Sequence, residues 1–371
     1  MRVPFHAKPF DEGTKLKLEI FRRYLREWIP VFLIDSPKTA WCHRINIFDL
    51  FCGPGQDAEG TPGSPLIIQE EIKSYCHKNR HMKKEIKINL FFNDDNKMHV
   101  EELKGKVTDN RCPEKCCTFH FHSEGVDEVM GKLLSIMKDD GSSNLVFLDQ
   151  FGVKYVSPES IFQLMSAGTT DLLFFISTSA IRRFAGEPGF KKEYPGERIQ
   201  SIEYKVVHRY LTQWFQQEVG ISNAYFAPFS IKKGSNIYGL IFATMHELGI
   251  EKFLRVCWDL DSSTGQANYN IDDDLAWGGQ LVLFPDLNVP TKKQVFEKEL
   301  LEYISLASRT NRDVYRFGLQ KGFPSREIKE MLKALQSSGK IKTEFLEDRT
   351  LPRKGAFYLM GKTDKIIIMQ S

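Results

Sequence analysis

The chain of 371 residues has no run of about 18 apolar residues, the length a helix needs to cross a bilayer. Its first stretch, Met1 to Gly13, alternates Pro, Lys and Asp with single hydrophobes and has no apolar segment of the secretory-leader kind. These absences predict a cytoplasmic protein with no membrane partner. Seven cysteines, an odd number without regular spacing, suit reduced thiols better than a disulfide framework. A net charge of +3 is too small to demand nucleic acid on composition alone, so local clusters must decide. Hydrophobic residues reach 42%, ample for a packed core, and the length exceeds what one core sustains. A main domain plus a smaller one is expected.

The richest stretch is Arg44 to Gln56, R-I-N-I-F-D-L-F-C-G-P-G-Q. Ile45, Ile47, Phe48, Leu50 and Phe51 suit a short strand buried on both faces. Asp49 falls at the strand end. Gly53 and Gly55 lack a Cβ, so the backbone can take positive φ and a ligand can come close to its N–H groups. Ligands of open α/β sheets bind outside the carboxyl ends of the strands, which makes this unit a small-molecule site in outline. The third glycine of a dinucleotide fingerprint is missing, because Gly53-Pro54-Gly55 runs into Gln56-Asp57-Ala58. D-L-F-C-G-P-G resembles instead the first motif of class I S-adenosylmethionine-dependent methyltransferases. The resemblance implies S-adenosylmethionine as cofactor, held by Asp49, Phe51, Cys52, Gly53, Pro54 and Gly55.

The rest of the chain alternates strands and helices. Thr14 is a candidate N-cap, and Leu18, Phe21, Leu25 and Trp28 mark an amphipathic helix that Pro30 should stop. Ser64 and Pro65 open a helix over Leu66 to Tyr75. Strands are expected at Ile86 to Asn93, Cys117 to Phe121, Asn144 to Leu148 and Asp171 to Ile176, with a helix from Val126 to Met137. Tyr238 to Ala243 and Gln280 to Phe284 read as two late strands flanking a helix from Glu251 to Trp258. The fold class is therefore α/β: a Rossmann-like, mostly parallel sheet with helices on both faces. Beyond Pro290, helices at Thr291 to Leu306, Thr310 to Leu319 and Arg326 to Gln336 precede strands at Lys340 to Phe345 and Gly355 to Met360. That order spells a winged helix-turn-helix. The expected domains are an N-terminal helical segment over 1–40, the methyltransferase-like domain over 41–290 and the winged-helix domain over 291–371.

Several residues carry candidate chemistry. Asp94, in Asn93-Asp94-Asp95-Asn96 at the end of the second strand, is placed to accept the ribose hydroxyls, although 39 positions separate it from Gly55. The same four residues also read as a turn that caps the next helix. Ser123 and Glu124 follow the third strand on the adenine side. Asp149 ends the fourth strand in D-Q-F-G, and Asp149 with Phe151 would orient a methyl acceptor. Amino methyltransferases have D-P-P-Y there, so Gln150 departs from their pattern. A cytosine C5 enzyme would need a Pro-Cys nucleophile, and no Pro-Cys pair occurs. Cys112, Cys116 and Cys117 with His120 and His122 have metal-ligand types but match no common zinc spacing, and no metal is expected. Basic residues cluster twice: Arg182, Arg183, Lys191, Lys192 and Arg198 in a long loop after the fifth strand, and Arg326, Lys329, Lys333, Arg353 and Lys354 on the recognition helix and wing. Both clusters suit phosphate binding.

Together the motifs resemble the three-Cys-motif partner protein (TcmP) family. The resemblance rests on F-D-L-F-C-G-P-G at Phe48 to Gly55, G-S-P-L at Gly63 to Leu66, V-F-L-D-Q-F-G at Val146 to Gly152, H-E-L-G-I-E-K-F-L-R-V-C-W at His246 to Trp258, and the G-F-P-S-R-E-I-K-E-M-L segment. It implies a methyltransferase-like fold and a bacterial or phage-associated protein encoded beside a radical-SAM-like partner carrying three cysteines. Three functions compete: a methyltransferase acting on nucleic acid, an inactive nucleic-acid or partner-docking subunit, and a nuclease. The last would draw on the acidic run Asp272-Asp273-Asp274 for metal ions.

Overall fold

A computed structural model describes residues 8–78, 85–109, 117–150, 156–187, 194–273 and 289–371. The chain divides into two compact units, Met1–Gly249 and Ile250–Ser371. The division falls upstream of Pro290, the position read from composition. Its cause lies in the second unit, where Glu251 accepts hydrogen bonds from Ser325 and Trp258 packs on Phe323.

The first unit is built on a seven-stranded sheet. Its strands are β1 (Arg44–Asp49), β2 (Lys87–Asn93), β3 (Cys117–His122), β4 (Ser142–Leu148), β5 (Thr169–Ser177), β6 (Tyr225–Lys233) and β7 (Asn236–Thr244). They lie in the order β3-β2-β1-β4-β5-β7-β6, with β7 antiparallel to both β5 and β6 and the other pairs parallel. This is a Rossmann-like sheet. The chain steps outward from β1 to β3 and then returns to place β4 on the other side of β1, so the switch point lies between β1 and β4.

The two faces of the sheet are covered separately. Even-numbered Phe48, Val146 and Leu148 join the helices Val126–Met137, Pro158–Met165 and Val207–Glu218 in one core cluster. On the opposite face Phe21 of helix α1 (Glu12–Leu33) stacks on Phe147, with ring centroids 4.3 Å apart. Asn46, Asn89 and Asn144 stand in register across three strands. They form a ladder of 2.9 Å amide hydrogen bonds, which gives the buried Asn46 and Asn144 side chains partners inside the sheet.

Helix α1 departs from expectation at both ends. Its N-cap is Asp11, whose carboxylate accepts from the Thr14 N–H, rather than Thr14 itself. It also continues through Pro30 to Leu33, because Phe32 and Leu33 bury their side chains and outweigh the one intrahelical hydrogen bond a proline removes. The late strand pair is also different. Tyr238 to Ala243 lies in β7, but its partner is β6, joined to it by a Gly234-Ser235 turn with Gly234 at φ 55°. Pro228 within β6 hid that strand in the sequence; it is tolerated because β6 is the sheet edge. The expected strand Gln280 to Phe284 lies outside the described residues. Arg182 and Arg183 fall in the short helix Thr178–Phe184, and Arg198 in Gly196–Ser201, rather than in a loop.

In the second unit, helices Lys292–Leu306, Asn311–Gln320 and Ser325–Ser337 accompany a small antiparallel sheet in the order β8-β10-β9 (Arg309–Thr310, Ile366–Gln370, Ile341–Phe345). The strand expected at Gly355 to Met360 does not form; Ile341–Phe345 pairs with Ile366–Gln370 instead, because Ile366 and Ile368 bring the buried side chains. Gly318 allows the second and third helices to touch, since a Cβ there would lie 2.2 Å from Ile328 Cδ1.

Candidate functional site

Strand ends at the switch point bring three carboxylates together. Asp49 closes β1, Asp94 follows β2 and Asp149 follows β4. Asp49 is fully buried, and one of its oxygens, Oδ2, has no hydrogen-bond partner among the described residues. Burial, opposed by the Ser64 hydroxyl and reinforced by the negative charges of Asp149 and Asp94, pushes its carboxyl up to about 7.

The glycine turn is held by hydrogen bonds from several sides. The Cys52 N–H donates to the Asn93 carbonyl at 2.9 Å and ties the end of β1 to β2. The Gly53 N–H donates to Asp94 Oδ2 at 3.0 Å, so the sequence-predicted ribose acid faces the turn. Asp94 Oδ1 also meets the Asn96 N–H at 3.0 Å and His99 Nδ1 at 3.1 Å, which makes it cap the next helix as well. The two readings of Asn93 to Asn96 are therefore compatible in one side chain. Gly53 and Gly55 both take positive φ, 55° and 88°. The space beside Gly55 is filled: a Cβ there would lie 2.7 Å from Leu103 Cδ1. Gly55 thus serves close packing of the helix Lys97–Asp109, while the Pro54 carbonyl accepts from Lys106 at 2.7 Å.

The G-S-P-L segment has a structural reason. The Gly63 N–H donates to the Gly55 carbonyl at 2.7 Å, and a Cβ on Gly63 would stand 3.1 Å from that oxygen. Phe51 is half-buried against the core, and Cys52 is buried with its thiol pushed up by burial and by the charges of Asp49 and Asp94. A thiol held protonated in this way is a poor nucleophile. After β3, Ser123 is exposed, while Glu124 turns its carboxylate to Lys132 at 2.7 Å. Asn93 is the residue that locks this corner. Its amide bridges the Leu50 and Glu124 carbonyls and accepts from the Glu124 N–H.

Lys17 was not legible as a site residue. It occupies the inner face of α1, is 5% exposed, and forms an ion pair with Asp149. Its ammonium also sits 4.6 Å from the centroid of the Phe175 ring. The available signal was a lysine within the apolar stripe that runs through Phe21, Tyr24 and Trp28. Farther along the same helix, the Tyr24 hydroxyl donates to buried Asp171 at 2.7 Å. Phe151, Lys191, Lys192, Cys112 and Cys116 lie outside the described residues. Among the described residues no group of three His, Cys, Asp or Glu side chains is gathered to hold a metal ion, and His120 stacks on Phe91.

The expected basic surface is partly neutralised. Arg326 pairs with Asp259 at 2.9 Å and with Glu327 at 3.3 Å, and Lys333 pairs with Glu330 at 2.7 Å. Lys329, Arg353 and Lys354 are exposed, as are Arg183 and Arg198; Arg182 lies over the Tyr204 ring. Among the described residues no helix is long and apolar enough to cross a membrane.

No family model and no curated protein matches the chain. Among solved structures it is similar to the O-methyltransferase TomG of Streptomyces achromogenes, solved in complex with SAM, at 10% identity and a TM-score of 0.33 over 64% of this chain and 91% of that one. A putative O-methyltransferase from Klebsiella pneumoniae gives 11% identity and a TM-score of 0.32, covering 64% of this chain and 90% of that chain. The putative methyltransferase yhhF from Escherichia coli gives 11% identity and a TM-score of 0.30, covering 66% and 90%. At these values the likeness assigns neither cofactor nor substrate.

Proposed function

We propose that the first unit binds S-adenosylmethionine at the switch point and is a methyltransferase acting on nucleic acid. The observation that carries this reading is the convergence of Asp49, Asp94 and Asp149 on one glycine turn, with Asp49 Oδ2, a buried acceptor, left unsatisfied among the described residues. A cation suits such a site, because it lowers the mutual repulsion of the acids and supplies the missing donor. Asp94 would hold the ribose, and Asp49 with the Gly53 turn would hold the amino acid end. When bound, the sulfonium supplies an electrophilic methyl group. Asp149 and Phe151 would orient the acceptor, and positioning then provides much of the rate.

Calorimetry tests the reading. S-adenosylmethionine and S-adenosylhomocysteine should bind the wild type, and Asp94→Ala should abolish binding of both. Since a cation beside Asp49 would draw its carboxyl back down from about 7, binding at pH 7 should release protons, seen as a dependence of the heat on the buffer's own ionisation enthalpy. Absence of binding by the wild type would shift the weight to the second reading.

That second reading is a docking subunit for a radical-SAM-like protein of the three-Cys-motif type, as the TcmP resemblance implies. The ion pairs that engage Arg326 and Lys333 favour it for the second unit, because a helix whose cations already have carboxylate partners releases few counterions on a phosphate backbone. A winged helix used for protein docking is consistent with this charge pattern. Pull-down of the three-cysteine protein by the full chain, and its loss on reversing the charge of Lys329, would support docking.

A further inference from the structure

Beside the acid cluster, the first unit contains a cavity of about 370 Å3 between the start of α1, the ends of β4 and β5, and the β6–β7 hairpin. The volume lies at the small end of the ~300–1,000 Å3 usual for small-molecule sites. Four charged side chains line it, and they form two ion pairs: Lys17 with Asp149 and Lys233 with Asp11. Their charges cancel. An anionic or cationic ligand would have to break one pair to be matched, whereas a neutral ligand leaves both intact.

Each pair also sets a donor next to an acceptor. The complement of that arrangement is a ring edge on which a C=O or ring nitrogen adjoins an N–H, as in lactams and amidines. One part of the remaining wall is aromatic, beside the polar Thr14, Gln150 and Ser177. Phe175 and Tyr238, with planes 21° apart and centroids 5.3 Å apart, both line the cavity, and Ile231 adds apolar surface. Flat rings stack favourably on such surfaces.

We propose that this cavity binds a neutral planar heterocycle with a lactam or amidine edge, the nucleobase class, presented as a free nucleoside or as an unstacked base of a single strand. The inference deepens the proposed function by giving the adjacent site its substrate class, and rests on that reading only in calling the ligand a substrate. Binding itself needs only the cavity.

The test uses the full chain, titrated with uridine, cytidine, adenosine and guanosine, with benzoate and benzylamine as charged flat rings, and with a short single-stranded oligonucleotide. At least one nucleoside should bind more tightly than either charged ring. Tyr238→Ala should weaken it about ten-fold or more, the contribution of one stacking surface. Tyr238→Phe, which keeps the ring, should bind like the wild type, and Asp94→Ala should retain nucleoside binding while losing S-adenosylmethionine. If Tyr238→Ala fails to fold, Lys233→Gln, at a half-exposed position of the hairpin, should give the loss instead. Tighter binding of the oligonucleotide than of any nucleoside identifies the strand as the source; the reverse identifies a free nucleoside. The proposal is overturned if no nucleoside binds, if benzoate or benzylamine binds better, or if binding is lost in Asp94→Ala but kept in Tyr238→Ala. That last result would place the nucleoside in the cofactor site and leave the methyltransferase reading standing.

Discussion

Replacing Asp49 by Asn tests the electrostatics of the site without any ligand. The folded chain holds the Asp49 carboxyl at about 7, against 3.8 for the free group. Between those values the folded protein keeps a proton that the unfolded chain has lost, so stability falls as pH rises through the interval and is level above it. At about 1.4 kcal/mol per pH unit the full loss is ~4 kcal/mol, of which ~3 kcal/mol falls between pH 5 and pH 8. An amide in place of the carboxyl cannot titrate. The Asp49→Asn protein should therefore gain ~3 kcal/mol on the wild type between those two pH values, whatever fixed offset its amide introduces. Urea denaturation of both proteins at each pH, followed by fluorescence of the first-unit tryptophans Trp28, Trp41 and Trp214, measures the gain as a difference of differences. If the two proteins keep the same stability gap from pH 5 to pH 8, Asp49 is not a buried, charge-crowded acid. The unsatisfied acceptor on which the proposed cofactor site depends would then lose its meaning.

Other consequences are open to measurement. Gly55→Ala adds left-handed strain at φ 88° and a Cβ 2.7 Å from Leu103; it should cost about 2–4 kcal/mol, read as a fall in melting temperature. Tyr24→Phe removes the 2.7 Å hydrogen bond to Asp171 inside the core and should destabilise by about 1–3 kcal/mol, visible in the same denaturation curves. Glu251→Ala strips Ser325 of the two bonds it makes to the Glu251 carboxylate at the start of a helix and Tyr315 of one hydrogen bond. A loss of about 2–4 kcal/mol confined to the second unit should appear as faster proteolysis there. Cys52, buried and held protonated, should resist iodoacetamide at pH 8 in the native protein and react on unfolding, as peptide mass mapping would report.

Local patterns carried much of the first unit. The apolar run Ile45 to Phe51, the breakers around the glycine turn and the alternation of strands with helices are properties of neighbouring residues, and β1 to β5 and the helix Val126–Met137 formed where those patterns lie. Period and turn chemistry act over a few residues, so one chain suffices to read them. The β6–β7 hairpin was not legible in this way, because whether Pro228 is tolerated depends on β6 being an edge, which is a fact about the whole sheet. The swap of Gly355–Met360 for Ile366–Gln370 as the partner of β9 has the same origin: several segments can pair, and burial of Ile366 and Ile368 selects one.

The sequence by itself determined where the acids stand, since Asp49, Asp94 and Asp149 each follow an apolar run that must be a strand. Only the tertiary structure decided their company. It set β4 beside β1, so that charges far apart in the chain act on one buried carboxyl. It also brought Lys17 from the N-terminal helix onto Asp149 and filled the space beside Gly55 with Leu103. Coulomb interaction and steric contact depend on distance in space, and strand order creates distances that spacing along the chain does not contain.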